Sequence, residues 1–266
     1  MDKLKILVYN MCIIFGKEES KMIYLVSDVH GCLKTLQALL EQVNFDEEKD
    51  KLFILGDIID RGLLIWELYE WVKQRYEKSV YMILGNHESE FIVDVFTLKG
   101  RQILDNKEEI TEENERYVKA CRKHRFPIDH YKTIERLTGD MYKKTIDDLL
   151  EMALFFEDLP LYYEIEMNGI NYRLVHACCR EDLEETTLDE FVWDRSLAET
   201  DYFVDNTTVI YGHTPTIVYE DGNINIEENK ETNARKINID CGCVFGNKLC
   251  LFRLNDEAVF YQKVIG

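Results

Sequence analysis

Gly56-Asp57-Ile58-Ile59-Asp60-Arg61-Gly62 follows the apolar run 52–55 (LFIL) and precedes an amphipathic stretch over 63–76. A short β-rich run, a polar loop and a helical pattern in succession make one β/α unit. The chain contains two more such units. Residues 23–27 (IYLVS) lead into Asp28-Val29-His30-Gly31, after which Leu33, Leu36, Leu39, Leu40 and Val43 recur at helical spacing. Residues 80–84 (VYMIL) lead into Gly85-Asn86-His87-Glu88. The interval from Asp28 to Asp57 equals that from Asp57 to Asn86. It fits a strand, a crossover helix and the next parallel strand, with right-handed connections. In such sheets polar sites gather beyond the carboxyl ends of the strands, where all three motifs sit.

The second half changes character. Residues 161–167 and 171–176 read as strands joined by an Asn168-Gly169 turn, and 209–211, 236–240, 249–254 and 259–264 continue the β pattern. Parallel β/α units followed by a strand-rich half predict an α/β fold with two mixed sheets face to face and helices outside, a four-layer αββα sandwich. Between the halves, 97–158 is dense in Glu, Lys, Arg and Asp, with helical spacing through 141–156. It reads as a charged helical insertion or cap whose outer faces are solvated, with a lid that selects substrates as the alternative. No internal repeat, low-complexity tract or Pro/Gly-rich linker divides the chain, so 22–266 is expected to form a single domain behind an N-terminal extension, 1–21.

Of 266 residues, 46% are hydrophobic and 31% charged, as in ordinary globular proteins. The formal net charge of −19 argues against a nucleic-acid backbone or an anionic membrane as partner. A small phosphorylated substrate stays compatible, because bound cations and a few arginines reverse the potential locally. The eight cysteines have neither CxxC pairs nor the spacing of a small disulfide scaffold, which suits free thiols in a reducing cytoplasm. The apolar run 6–15 follows Lys3 and Lys5 as a secretion signal would, but it lacks a small-residue cleavage site and is too short to span a bilayer. An added strand or a loosely attached segment is the expectation there.

Four of the six histidines, His30, His87, His176 and His213, fall in polar loops at the ends of expected strands; His124 and His130 lie in the charged segment. With Asp28, Asp57 and Asn86 they give the mixture of carboxylate, amide oxygen and imidazole that suits a pair of bridged Mn²⁺, Fe or Zn²⁺ ions without thiolate. Competing chemistries are missing their motifs. No cysteine has an arginine six positions later, as a cysteine-dependent tyrosine phosphatase requires. There is no Asp-x-Asp for an aspartyl-phosphate mechanism and no GxxxxGK[ST] loop.

In these motifs the chain resembles the calcineurin-like metallophosphoesterases, and within them the phosphoprotein phosphatases of bacterial and phage type. SDVHG at 27–31 is similar to the family's GDxHG, with Ser27 in place of a glycine; GDIIDRG at 56–62 and GNHE at 85–88 match fully. The resemblance implies Asp28 and His30 on a first metal ion, Asp57 bridging two, and Asn86, His176 and His213 on the second. Mn²⁺ is the first expectation, with Fe or Zn²⁺ satisfying the same ligands. A metal-bridging hydroxide would be the nucleophile, between ions about 3.5–4 Å apart. Arg61 would grip phosphate through its planar fork. Arg195, in Val192-Trp193-Asp194-Arg195, resembles a second phosphate-binding arginine. His87 would be the general acid, held by Asp60.

His176-Ala177-Cys178-Cys179 departs from the family's HGG or HAG, raising the question of a redox-sensitive thiol. Residues 238–246 resemble a bacterial IDTGCVFGG signature that packs behind the site. The function so implied is hydrolysis of phosphomonoesters, first of phosphoserine and phosphothreonine in proteins. Symmetrical cleavage of diadenosine tetraphosphate by the same machinery is the alternative, and a catalytically inactive scaffold a distant third.

Overall fold

The structure is a computed structural model that describes residues 12–13, 21–124, 139–218 and 221–266. It contains the two mixed sheets, in an αββα arrangement. The first half supplies β2 (Ile23–Val26), α1 (Leu33–Gln42), β3 (Lys51–Ile54), α2 (Ile65–Arg75), β4 (Val80–Met82) and α3 (Asn86–Asp105). Strands β2, β3 and β4 are parallel neighbours, with Leu25 opposite Phe53 and Phe53 opposite Tyr81. β10 (Lys248–Arg253) and β11 (Ala258–Lys263) return from the far end of the chain to complete this sheet in the order β11-β10-β2-β3-β4, β10 antiparallel to both β2 and β11.

The other sheet runs β1-β5-β6-β7-β9-β8. Its members are β1 (Cys12–Ile13), β5 (Tyr162–Met167), β6 (Ile170–Val175), β7 (Thr208–Tyr211), β8 (Asn225–Asn229) and β9 (Ala234–Asn238). β5 and β6 form the hairpin around Asn168-Gly169, and β6, β7 and β9 are parallel. β1 lies parallel to β5 at the sheet's edge. Residues 1–11 and 14–20 of the N-terminal extension, and His130, fall outside the described residues.

Alternation along the strands explains the layering, because successive side chains leave opposite faces. Ile23, Leu25, Phe53, Leu174, Ile210, Ile237 and Phe252 meet between the two sheets. Their neighbours Tyr24, Val26, Leu52, Ile54, Val175, Val209 and Tyr211 point the other way, into the apolar layers under the helices. Both faces of each central strand are therefore buried, which is why these strands read as continuous apolar runs.

α4 (Glu115–Lys123) and α5 (Ile146–Glu157) pack along α3, with Phe96 against Tyr117 at 5.0 Å and Phe91 against Phe156 at 5.9 Å. The helix expected over 141–156 is split. Thr145 accepts the Asp148 N–H while Asp148 accepts that of Thr145, a capping box that starts α5 at Ile146. Residues 139–143 instead form one 3-10 turn. β8 (sequence NIEEN) was not expected from the apolar pattern. It is an edge strand held by backbone pairing to β9, so it needs no apolar face. Among the described residues, no helix is long and apolar enough to cross a membrane.

Candidate functional site

Two sets of three parallel strands, β2-β3-β4 and β6-β7-β9, end at the same place, one from each sheet. Asp28, Asp57 and Asn86 follow the first set; His176, His213 and Asp240 follow the second. The sheets are stitched together there: the His213 N–H donates to Asp28 Oδ2 (3.0 Å), and His176 Nδ1 lies 2.7 Å from the carbonyl oxygen of Leu55. The Gly212 N–H donates to the carbonyl of His176 at 2.9 Å. Approach is so close that a Cβ on Gly212 would lie 1.9 Å from Ser27 Oγ and 2.3 Å from Asp28 Oδ2. Only glycine fits.

The backbone is strained at the same spot. Asp28, His30, Asp57, Asp60, Arg61 and His213 all have positive φ, between 42° and 69°. Each such conformation costs a non-glycine residue about 1–2 kcal/mol, a load that concentrates where side chains must be aimed rather than packed.

Three imidazole nitrogens converge on one oxygen. Asp57 Oδ2 lies 3.5 Å from His176 Nε2, 3.7 Å from His30 Nε2 and 3.9 Å from His87 Nε2. Asn86 Oδ1 is 2.9 Å from both His176 Nε2 and His213 Nδ1. His30, Asp57 and His87 form one group compact enough to hold a cation, and Asp57, His176 and His213 form another; Asp57 belongs to both. Asp28 stands beside the first, its Oδ1 4.0 Å from His30 Nε2, with Oδ2 occupied by Ser27 Oγ and the His213 N–H.

The second ring nitrogens are spoken for. His30 Nδ1 faces the Ile59 carbonyl (2.6 Å), His176 Nδ1 that of Leu55, and His213 Nε2 that of Trp193 (3.2 Å). An imidazole that donates one N–H to a carbonyl must present a lone pair at its other nitrogen. Burial lowers the pKa of all three, well below the ordinary value for His30 and to about 3 for His213. They are therefore neutral at pH 7. Three imidazole lone pairs, an amide oxygen and two acids then face one another, a donor set that fits divalent cations.

The acids need the same compensation. Burial, then the charges of Glu88 and Asp28, push Asp57 well above the usual carboxylate range. Burial, then Asp28, does the same to Asp240. Glu88 is fully buried and works as a bracket: Oε2 accepts the N–H groups of Asp57 (2.8 Å) and Gly85 (3.1 Å), and Oε1 that of Ile58 (2.9 Å). It thereby ties the Asp57 loop to the start of α3. Glu88, the last residue of the GNHE motif, is not among the residues that the motifs assign to the site. The signal was available, since a glutamate three residues past a helix N-cap is a capping-box acid.

His87 Nδ1 is 2.5 Å from Asp60 Oδ2, its backbone N–H donates to Asp57 Oδ1 (3.1 Å), and its Nε2 faces the cluster. Arg61 Nη1 donates to His30 Nε2 at 2.7 Å. Arg195 is anchored by Nη1 on Thr214 Oγ1 (2.8 Å) and lines the same cavity, of about 240 Å³, as Arg61, His87 and Asp240. The structure thus brings together every residue that the sequence singled out here, with His176 buried beneath the cavity and Asp60 beside it, bonded to His87. It also adds Asp240, Trp193 and Phe245 to that wall. Cys178 and Cys179 are buried, and burial raises their thiols to about 12 and about 11, which leaves little thiolate for oxidation chemistry.

Residues 21–233 match the family described as calcineurin-like phosphoesterase. Over 91% of its length the chain is 26% identical to a symmetrical bis(5'-nucleosyl)-tetraphosphatase of Aliivibrio salmonicida, covering 98% of that protein. It is 23% identical, again over 91%, to the protein so named from Actinobacillus succinogenes, of which 97% is covered. Among solved structures, one described as "Crystal structure of a putative diadenosine tetraphosphatase" superposes with a TM-score of 0.60 at 15% identity, covering 97% of this chain and 100% of that one. At that identity the superposition speaks for the fold alone.

Proposed function

The chain belongs to the calcineurin-like phosphoesterase family, and from that premise we propose that it cleaves dinucleoside tetraphosphates symmetrically, at the central P–O–P bridge, with two divalent cations. The observation that carries the chemistry is the shared position of Asp57 between two cation-sized groups of ligands. Support for the substrate comes from relatives that match nine-tenths of the chain and are named for that reaction.

In this reading Asp28, His30 and Asp57 would hold one cation, with His87 of that compact group kept as the acid and not as a ligand, and Asp57, Asn86, His176 and His213 would hold the other. Mn²⁺ is the first choice. Bound there, the pair supplies Lewis acidity toward phosphoryl oxygen and a hydroxide nucleophile at neutral pH. The chain's own groups do the rest. Arg61 and Arg195 hold the equatorial oxygens of the phosphoryl group under attack, as fork-shaped donors that lysine cannot imitate. His87 delivers a proton from Nε2 to the departing oxygen, while Asp60 fixes the ring through Nδ1. Glu88 keeps Asp57 aimed. Water adds to one inner phosphorus, the bridging P–O bond breaks, and two nucleoside diphosphates leave.

Hydrolysis of phosphoserine and phosphothreonine, the first expectation from the GDIIDRG motif, ranks second, because the two relatives described above, each matched over 91% of this chain, are named for the tetraphosphatase reaction. The test is phosphate and nucleotide release by chelator-stripped protein reconstituted with Mn²⁺. Diadenosine tetraphosphate should be turned over with a kcat/KM well above that for phosphoserine and phosphothreonine peptides. The reverse order would return the chain to the protein phosphatases.

A further inference from the structure

Two aromatic side chains on the cavity wall are conspicuously open to water: Trp193 is 41% exposed and Phe245 56% exposed. Each belongs to a different half of the site. The Trp193 carbonyl holds His213, and its ring stands edge-on to the His213 ring at 5.8 Å. The Phe245 ring lies 5.3 Å below the guanidinium of Arg61, whose Nη1 contacts His30. His30 and His213 fall in the separate ligand groups that share Asp57. Each ring therefore stands beside a different one of the two ligand groups, on the wall of the cavity they share.

Neither is a loose surface residue. Trp193 ends α6 (Leu188–Trp193), where its backbone is fixed by the contact to His213. Phe245 sits on a turn between Gly242 and Gly246, both left-handed, and the Gly242 N–H is held by Asp240 Oδ1 at 2.9 Å. Within the chain Trp193 contacts His213 and Phe245 contacts Arg61, and each ring leaves much of its apolar surface in water. A flat apolar surface beside a polar, phosphate-sized cavity is what a purine base needs.

We infer that Trp193 and Phe245 are the two base platforms of the site, each stacking one nucleobase of a dinucleoside tetraphosphate, so that its phosphate chain is centred over Asp57. This rests on the function proposed above and adds to it a physical reason for symmetrical cleavage. With one base on each flank, the bond midway between them is the one presented to the catalytic groups. On the Phe245 side, Arg61 stacks on the ring and reaches the phosphates, coupling base and phosphate recognition.

The experiment compares Trp193→Leu, Phe245→Leu and the parent, all loaded with Mn²⁺, by KM for diadenosine tetraphosphate and by the inhibition constant of inorganic tetraphosphate, which lacks bases. One base–aromatic stack is worth about 1–3 kcal/mol, so each substitution should lower the ratio of inhibition constant to KM by about 5- to 150-fold. Adenosine diphosphate should also quench tryptophan fluorescence in the parent and not in Trp193→Leu. A ratio that stays put in both variants, even with activity reduced, would mean that the rings only support His213 and Arg61, and would overturn the inference while leaving the tetraphosphatase reading intact. A parent protein that hydrolyses phosphopeptides and ignores diadenosine tetraphosphate would overturn both.

Discussion

Replacing Glu88 with glutamine probes how the catalytic loops are held, because it changes charge and hydrogen bonding with almost no change in shape. Both carboxylate oxygens are used, by the N–H groups of Asp57 and Gly85 on one side and Ile58 on the other. A glutamine can keep only one oxygen. With that oxygen turned to Asp57 and Gly85, the new NH2 faces the Ile58 N–H, donor against donor. The lost bond to a charged acceptor contributes about 1.5–3 kcal/mol, and an orphaned buried N–H costs about 1–3 kcal/mol more. Against this, removing the Glu88 charge relieves Asp57, whose pKa it helps to raise. The net is a loss of about 2–4 kcal/mol, or roughly 4–16 °C in Tm for a chain of this size. Because the bracket aims a proposed ligand, Mn²⁺ affinity should also fall by about 10- to 100-fold. Thermal unfolding of the stripped protein and calorimetric titration with Mn²⁺ measure the two effects. A Tm within about 2 °C of the parent and an unchanged Mn²⁺ affinity would refute the reasoning.

Three further outcomes are expected. His87→Asn should retain cation binding and lose about 10²- to 10⁴-fold in kcat on phosphoserine peptides, whose alkoxide leaving group needs a proton, but lose less on diadenosine tetraphosphate; equal losses on both would argue against His87 as the acid. Adding Mn²⁺ at about 100 times its dissociation constant should stabilise the stripped protein by about 2.7 kcal/mol per independent site, and a Tm unmoved by the cation would contradict the donor-set argument. The third concerns pH. Burial lowers His213 from 6.5 to about 3, so its contribution is fully present above about pH 6.5 and is lost as the pH falls toward 3, where the unfolded chain is already protonated. Urea titrations of stripped parent and His213→Asn should therefore converge as pH falls through that window; a difference that does not vary with pH would refute the assignment of His213 as a buried neutral ring.

Much of this was legible in the sequence, for a physical reason. Asp28, Asp57 and Asn86 each follow an apolar strand within a few residues, and a parallel sheet places such loops side by side whatever else the fold does. The same logic located His176 and His213 behind β6 and β7. What stayed hidden depends on distant pairing or on orientation. Contact between His213 and Asp28 joins two sheets far apart in sequence. β8 has a polar sequence because an edge strand is held by its backbone. Trp193 and Phe245 were two aromatics among many until the fold set both on the wall of the cavity that holds Asp57. Arg61 was expected as a phosphate ligand, and its contact with His30 Nε2 could not be read from the motif.

The claim from which the rest follows is that Asp57 is shared between two cations. Elemental analysis of purified, Mn²⁺-reconstituted protein tests it directly. About two equivalents per chain in the parent, and a clear deficit in Asp57→Asn, are the predicted results. A single equivalent in the parent, or full occupancy in Asp57→Asn, would contradict it.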